Sequence, residues 1–251
     1  MQGQSEALLS TEMVPGSYEY KYLTDELVPL KNPVGEDITY DTENGSPFMP
    51  ETDPSEWLHT HVTGSSCYGH TNLVPTFCRA YAEITGNKVL AVHVAKGSTV
   101  IADWLPGTAG YQIIAQKAGA AIAKVKSTED VKGIFFVWLQ GESDAICGNS
   151  KAYYKDRIAK LKDALKKDIG IEKFGIIRVG RFTNDERDLE IIAAQDEICR
   201  ESQDFLMLTD ITTELNKQSE YMNPFVGGHY SAKGLEKLGA EAGKTLANKL
   251  K

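Results

Sequence analysis

Residues 72–251 predict an α/β fold built on a mainly parallel sheet, and three observations carry that expectation. Short runs apolar at every position recur along this stretch, as in strands buried on both faces. Apolar residues at three- and four-residue spacing fill the intervals between them, as in helices that bury one face. The two patterns alternate, which predicts a mainly parallel sheet with helices on both sides, a three-layer α/β/α sandwich.

The elements follow in order. Leu73, Phe77, Ala80, Tyr81 and Ile84 fall at helical spacing, and Gly86 ends that helix. Lys88 to Ala95 contains Val-Leu-Ala-Val-His-Val, a β-rich run. Residues 109–126 form an Ala-rich helix. The stretch from Gly133 to Leu139 is a second apolar strand. Tyr154, Ile158, Leu161 and Leu165 mark the next helix, and Phe174 to Val179 the third strand. Ile191, Ala194, Gln195 and Ile198 line a further helix face. Phe205 to Leu208 is a fourth strand, and Leu235, Leu238, Ala242 and Leu246 carry the final helix.

The chain before residue 72 is different. An irregular insertion at about 12–70 is rich in Pro, Gly and acidic residues, with Tyr18, Tyr20, Tyr22 and Tyr40 among them. A short strand is expected around Tyr18 to Leu23. The 251 residues are read as a single domain, 1–251.

Composition excludes several function classes. The formal charge is −8, from 35 acidic and 27 basic residues, so a polyanion such as nucleic acid is not an expected partner. No run of about 18 apolar residues occurs, so no membrane span is expected. No secretory leader is visible, which leaves extracellular and cytoplasmic compartments open for a soluble protein. Cys67, Cys78, Cys147 and Cys199 fit no zinc spacing; they read as small buried side chains, with a Cys67–Cys78 disulfide possible. His59 and His61 are two residues apart with no third ligand in view, so neither a metal nor a cofactor is expected.

In parallel sheets ligands bind beyond the carboxyl ends of the strands. That rule selects Gly97 and Ser98, then the Gln140-Gly141-Glu142-Ser143-Asp144 run, then the loop holding His229. Near the start, Ser5 stands in a Gly-x-Ser setting before Glu6-Ala7-Leu8-Leu9. A serine, a histidine and a set of N–H donors are the parts that acyl transfer needs. Each segment alone also fits a helix cap or a polar loop.

Together and in this order, five segments resemble the SGNH-hydrolase superfamily. They resemble in particular its sialate O-acetylesterase and acetylxylan-esterase-like branch, carbohydrate esterase family 6. The segments are Gly3-Gln4-Ser5; Lys96-Gly97-Ser98-Thr99 with Trp104; Trp138 to Asp144; Ala194-Gln195; and His229 with Lys233 to Gly239. The resemblance implies a flavodoxin-like, roughly five-stranded parallel sheet and a carboxylic ester hydrolase that removes O-acetyl groups from a carbohydrate or other small ester. It implies Ser5 as nucleophile and His229 as general base and acid. The oxyanion hole would combine the Ser5 and Gly97 backbone N–H groups with the Gln140 side chain. Gln195 reads as a brace behind the site. Trp104, with Trp57 and the tyrosines, reads either as a sugar-stacking surface or as core.

Three positions depart from the family pattern. Glu6 stands where the branch has Asn. The acid expected two or three residues before the histidine is replaced by Val226 and Gly227. Glu142 is therefore the first candidate for the orienting acid and Asp210 the second, with a Ser–His dyad as the third arrangement. Only four residues precede Ser5, so the strand expected to carry it is not contained in this sequence. Its two neighbours would then lack a partner. The same fold with catalysis lost, as a carbohydrate-binding protein, or with the acyl group passed to another acceptor, are the rival readings.

Overall fold

The computed structural model describes residues 14–22, 24–31, 34, 72–95, 97–223 and 227–251. These fall into two compact units, one drawn from residues 1–95 and 218–251 and the other from 96–217.

The 96–217 unit carries a three-stranded parallel sheet in the order β4-β5-β6. The strands are β4 (Phe135–Trp138), β5 (Lys173–Ile177) and β6 (Phe205–Thr209). Phe136 pairs with Phe174, and Phe174 with Phe205. That register lines up three rings at centroid distances of 5.0 and 5.1 Å. Four of the five β5 residues are buried, as a middle strand covered on both faces requires.

Helices connect and cover these strands. Thr108 caps α2 (Ala109–Lys126) by accepting from the Tyr111 N–H. Ser150 caps α4 (Lys151–Asp168) in the same way, from Tyr153 N–H. The four residues read as the α4 core face, Tyr154, Ile158, Leu161 and Leu165, are all buried. Asp185 caps α5 (Glu186–Glu201), whose buried face holds Ile191, Ala194, Gln195 and Ile198. Two short helices were not legible in the spacing: α3 (Glu142–Ile146) directly after β4, and α6 (Thr212–Leu215) directly after β6.

The other unit holds β1 (Tyr18–Lys21), β2 (Glu26–Pro29) and β3 (Leu90–Ala91) in the order β2-β1-β3. β1 pairs antiparallel with β2 and parallel with β3. The strand expected around Tyr18 is present, and its hairpin partner β2 adds to it. Among the described residues, the run expected from Lys88 to Ala95 pairs with β1 at Leu90 and Ala91. Just before them, the Val89 carbonyl accepts from the Tyr18 N–H at 2.8 Å, and the Val89 N–H donates to the Ser17 hydroxyl at 3.0 Å. The parallel sheet expected with about five strands is thus described as two three-stranded sheets, and β1–β2 is the one antiparallel strand pair among the described residues.

In the same unit α1 (Val74–Thr85) packs on α7 (Ala232–Lys249). Gly86 ends α1 in the left-handed conformation, at φ 71°. Val14, Leu30, Val34, Cys78 and Ala91 form the buried cluster there, with Phe77 and Val74 against it. Cys78 is a free thiol, so the Cys67–Cys78 disulfide is not formed; burial pushes that thiol up to about 12. Cys67 itself lies outside the described residues.

The α1–α7 approach is set by two glycines one turn apart on α7. A Cβ at Gly239 would run into the Leu73 and Phe77 backbone, and one at Gly243 into the Phe77 backbone. Helix propensity alone favours Gly→Ala by about 1 kcal/mol. Here the contact is rigid backbone, so Gly243→Ala is expected to destabilise the chain by about 1–3 kcal/mol. Urea denaturation decides it, and a more stable variant would show that the helices separate freely.

Candidate active site

The site elements in the 96–217 unit converge at the carboxyl end of β4. Gln140 follows the strand by two residues, and Gly141 turns the chain there at φ 149°. A Cβ at Gly141 would lie 2.7 Å from the Ile191 methyl and 3.1 Å from Val179, so only glycine lets this corner press against α5. The sharp turn starts α3, which brings Asp144 back beneath the Gln140 side chain.

Asp144 is fully buried, and its carboxylate is the acceptor on which this corner is built. Oδ2 accepts from the Gln140 amide at 2.6 Å and from the Ile101 backbone N–H at 2.8 Å. Oδ1 accepts from Asn149 Nδ2 at 2.7 Å. Gln140 Nε2 also donates to the Thr99 carbonyl at 2.9 Å. A primary amide has two N–H bonds. Both of those on Gln140 are therefore engaged within the protein, one by Thr99 and one by Asp144.

A second layer lies behind. The buried Tyr154 hydroxyl donates to the Gln140 carbonyl at 2.8 Å and accepts from Trp138 Nε1 at 3.2 Å. Gln195 Nε2 reaches the same carbonyl at 2.9 Å and the Tyr154 oxygen at 3.1 Å. Gln195 Oε1 accepts from the Val179 N–H at 2.9 Å. Gln195 is thus a brace, tying the ends of β4 and β5 to α5. Tyr154, Asn149 and Thr99 were missed as members of this cluster. The usable signal was a tyrosine on an otherwise aliphatic helix face, whose hydroxyl must find a partner when buried.

Burial holds the Asp144 carboxyl above its ordinary range, and the nearby Asp103 charge adds to this. The bonds from Gln140, Asn149 and Ile101 pull the other way without cancelling it. Burial likewise holds the Tyr154 phenol proton firmly.

The other expected site residues are placed as follows. Gly97 lies in an exposed turn, and Ser98 after it adopts φ 60°. Glu142 is the first residue of α3 and is half-buried. Asp210 stands just past β6, largely exposed, with its carboxylate 3.9 Å from Arg178 Nη1. Trp104 is only 3 % exposed. It stacks edge-on against Trp138 at 5.5 Å and donates from Nε1 to the Thr99 hydroxyl at 3.0 Å. Its ring takes the core reading and not the sugar-stacking one.

His229 belongs to the other unit. Its Nδ1 lies 2.9 Å from the Gly227 carbonyl, and its own carbonyl accepts from the Asn223 N–H at 2.8 Å. A carbonyl only accepts, so Nδ1 carries a proton in this contact. Ser5, Glu6, Trp57, His59 and His61 lie outside the described residues. Among the described residues no cluster of three or more His, Cys, Asp or Glu side chains is arranged to hold a metal, and no helix is long and apolar enough to cross a membrane.

A parallel-rich α/β fold with a braced polar cluster at the end of a buried strand is the architecture of a hydrolase-like sandwich. Residues 43–248 match the family described as carbohydrate esterase, sialic acid-specific acetylesterase, and the chain belongs to that family. The match includes Gly97, Gln140, Glu142, Asp144, Asp210 and His229, and it begins after Ser5. In fold the chain is similar to a protein from Arabidopsis thaliana solved by X-ray crystallography, with a TM-score of 0.53 and 16 % identity over 94 % of this chain and 92 % of that one. No curated protein matches the chain significantly.

Two outcomes follow from the cluster. Tyr154→Phe removes one hydroxyl and orphans the buried Trp138 N–H, so it is expected to cost about 1–3 kcal/mol in urea denaturation. The second concerns pH. Folded Asp144 keeps its proton to higher pH than the unfolded value of 3.8, so its contribution to stability is full below 3.8 and is lost as pH rises through the folded value. Asp144→Asn removes that dependence. The unfolding midpoint of the variant relative to the parent should therefore improve as pH is raised from about 4 toward about 7. A difference that stays constant across that range would contradict the assignment.

Proposed function

We propose that the chain is a serine esterase that removes O-acetyl groups from a carbohydrate through an acyl-enzyme. Membership of the carbohydrate esterase family over residues 43–248 is the observation that carries this reading. The contact of His229 Nδ1 with the Gly227 carbonyl fits this reading, because it holds the ring with Nδ1 as donor and assigns the general-base role to Nε2.

In the proposed mechanism Ser5 Oγ attacks the acetyl carbonyl carbon while His229 Nε2 takes its proton. The oxygen of the tetrahedral intermediate is stabilised by the backbone N–H groups of Ser5 and Gly97. His229 then returns the proton to the sugar oxygen, the C–O bond breaks, and the acetyl group stays on Ser5. Water, deprotonated by His229, attacks the acyl-enzyme; His229 passes that proton to Ser5 Oγ as the ester bond breaks and acetate is released. The Gly227 carbonyl fixes the tautomer, the task usually given to a carboxylate. Glu142 is proposed as the carboxylate that stabilises the imidazolium, with Asp210 as the alternative. Gln140 was expected among the oxyanion donors. Its two engaged N–H bonds favour a framework role instead.

Hydrolysis of p-nitrophenyl acetate and of O-acetylated sugars tests the proposal. Ser5→Ala and His229→Ala should each lower kcat by about 10³-fold or more. Rates equal to the parent chain for both variants would refute it. Between Glu142→Gln and Asp210→Asn, the variant with the larger kcat loss identifies the acid.

A further inference from the structure

We propose that Asp144 is a positioning residue that holds Gln140 as a clamp between the β4 corner and the 99–101 segment. The argument starts from the donors. One carboxylate oxygen receives both the Gln140 amide and the Ile101 backbone N–H, and the second Gln140 N–H goes to the Thr99 carbonyl. The strand end and a segment 41 residues earlier in sequence are thus joined through one side chain. Thr99 stands two residues after Gly97, so the clamp sets the base of the turn that carries the proposed Gly97 donor. The carboxylate is fully buried and Gln140 is 9 % exposed, so water does not compete for these bonds.

The kinetic part of this inference rests on the esterase reading; the clamp itself does not. Two variants separate shape from bonding. Asp144→Asn keeps a carbonyl oxygen where Oδ2 meets Gln140 and Ile101, and its NH₂ faces Asn149, whose amide can turn to accept. Asp144→Ala leaves the Gln140 and Ile101 donors without that acceptor.

The first measurement is exchange of the Gln140 side-chain amide protons with solvent, followed by NMR. Protection is expected in the parent and in Asp144→Asn and should fall at least tenfold in Asp144→Ala; equal protection in all three overturns the clamp. The second is steady-state hydrolysis of p-nitrophenyl acetate. Asp144→Ala should lose at least tenfold in kcat with KM within about twofold of the parent, and Asp144→Asn should recover kcat to within about threefold. If Gln140 is a substrate donor restrained by Asp144, freeing its N–H maintains or raises kcat in Asp144→Ala, and the proposal fails. Should Asp144→Ala not fold, Asp144→Asn with parental protection and kcat supports the clamp, and loss of either overturns it. A parent chain that turns over no acetyl ester refutes the esterase reading, and amide exchange alone then decides the clamp.

Discussion

A buried carboxylate with three hydrogen-bond donors directed at it is the constraint on which the β4 corner depends. Asp144 cannot leave its position without orphaning the Ile101 backbone N–H, the Gln140 amide and the Asn149 amide together. Charged groups placed in apolar surroundings are costly unless every lone pair is used. Three donors drawn from separate stretches of chain, on a carboxylate with about four acceptor positions, offset that cost in part. This explains why a helix as short as α3 persists: its tertiary bonds hold it, since five residues have little intrinsic helicity.

Much of the layer architecture was legible because parallel strands and amphipathic helices write different periods into the chain. The α4 core face and the buried β5 run were read correctly for that reason. The 88–95 run shows what such a pattern leaves out, because a hydrophobic stretch does not name its pairing partners. Whether Val89 gives its N–H to a carbonyl or to the Ser17 hydroxyl depends on a residue far away in sequence. The helix α3 escaped for a complementary reason. Its start is a glycine at φ 149°, a backbone state that leaves no capping signature in the residues around it.

The site was legible in its residue types and less so in their roles. Gln140 and Glu142 stand where the rule for parallel sheets directs attention, and the Gln-Gly-Glu-Ser-Asp run drew notice as a block. What no local pattern contains is the bookkeeping of amide hydrogens. One Gln140 N–H goes to Asp144 only four residues on, but the other goes to Thr99, 41 residues away, so the commitment of both emerges only when the segments meet. Trp104 misled in the same manner. A tryptophan near a site loop has the face to stack on a sugar, yet the Thr99 hydroxyl and the Trp138 ring hold this one inside.

The absent acid before His229 takes on a different meaning once the loop is seen. An orienting group has two separable tasks, fixing which ring nitrogen bears the proton and stabilising the imidazolium that forms. The first needs only an acceptor in the right place, and a backbone carbonyl two residues away serves, because it can never donate. The second needs negative charge, which a carbonyl dipole supplies only in part. In the proposed mechanism, a chain with Val226 and Gly227 where the resemblance implies an acid can keep the required tautomer and still need a carboxylate from elsewhere. The proposal thus separates the two tasks in residue space, with Gly227 assigned to hold the proton in place and the carboxylate assigned to a residue distant in sequence.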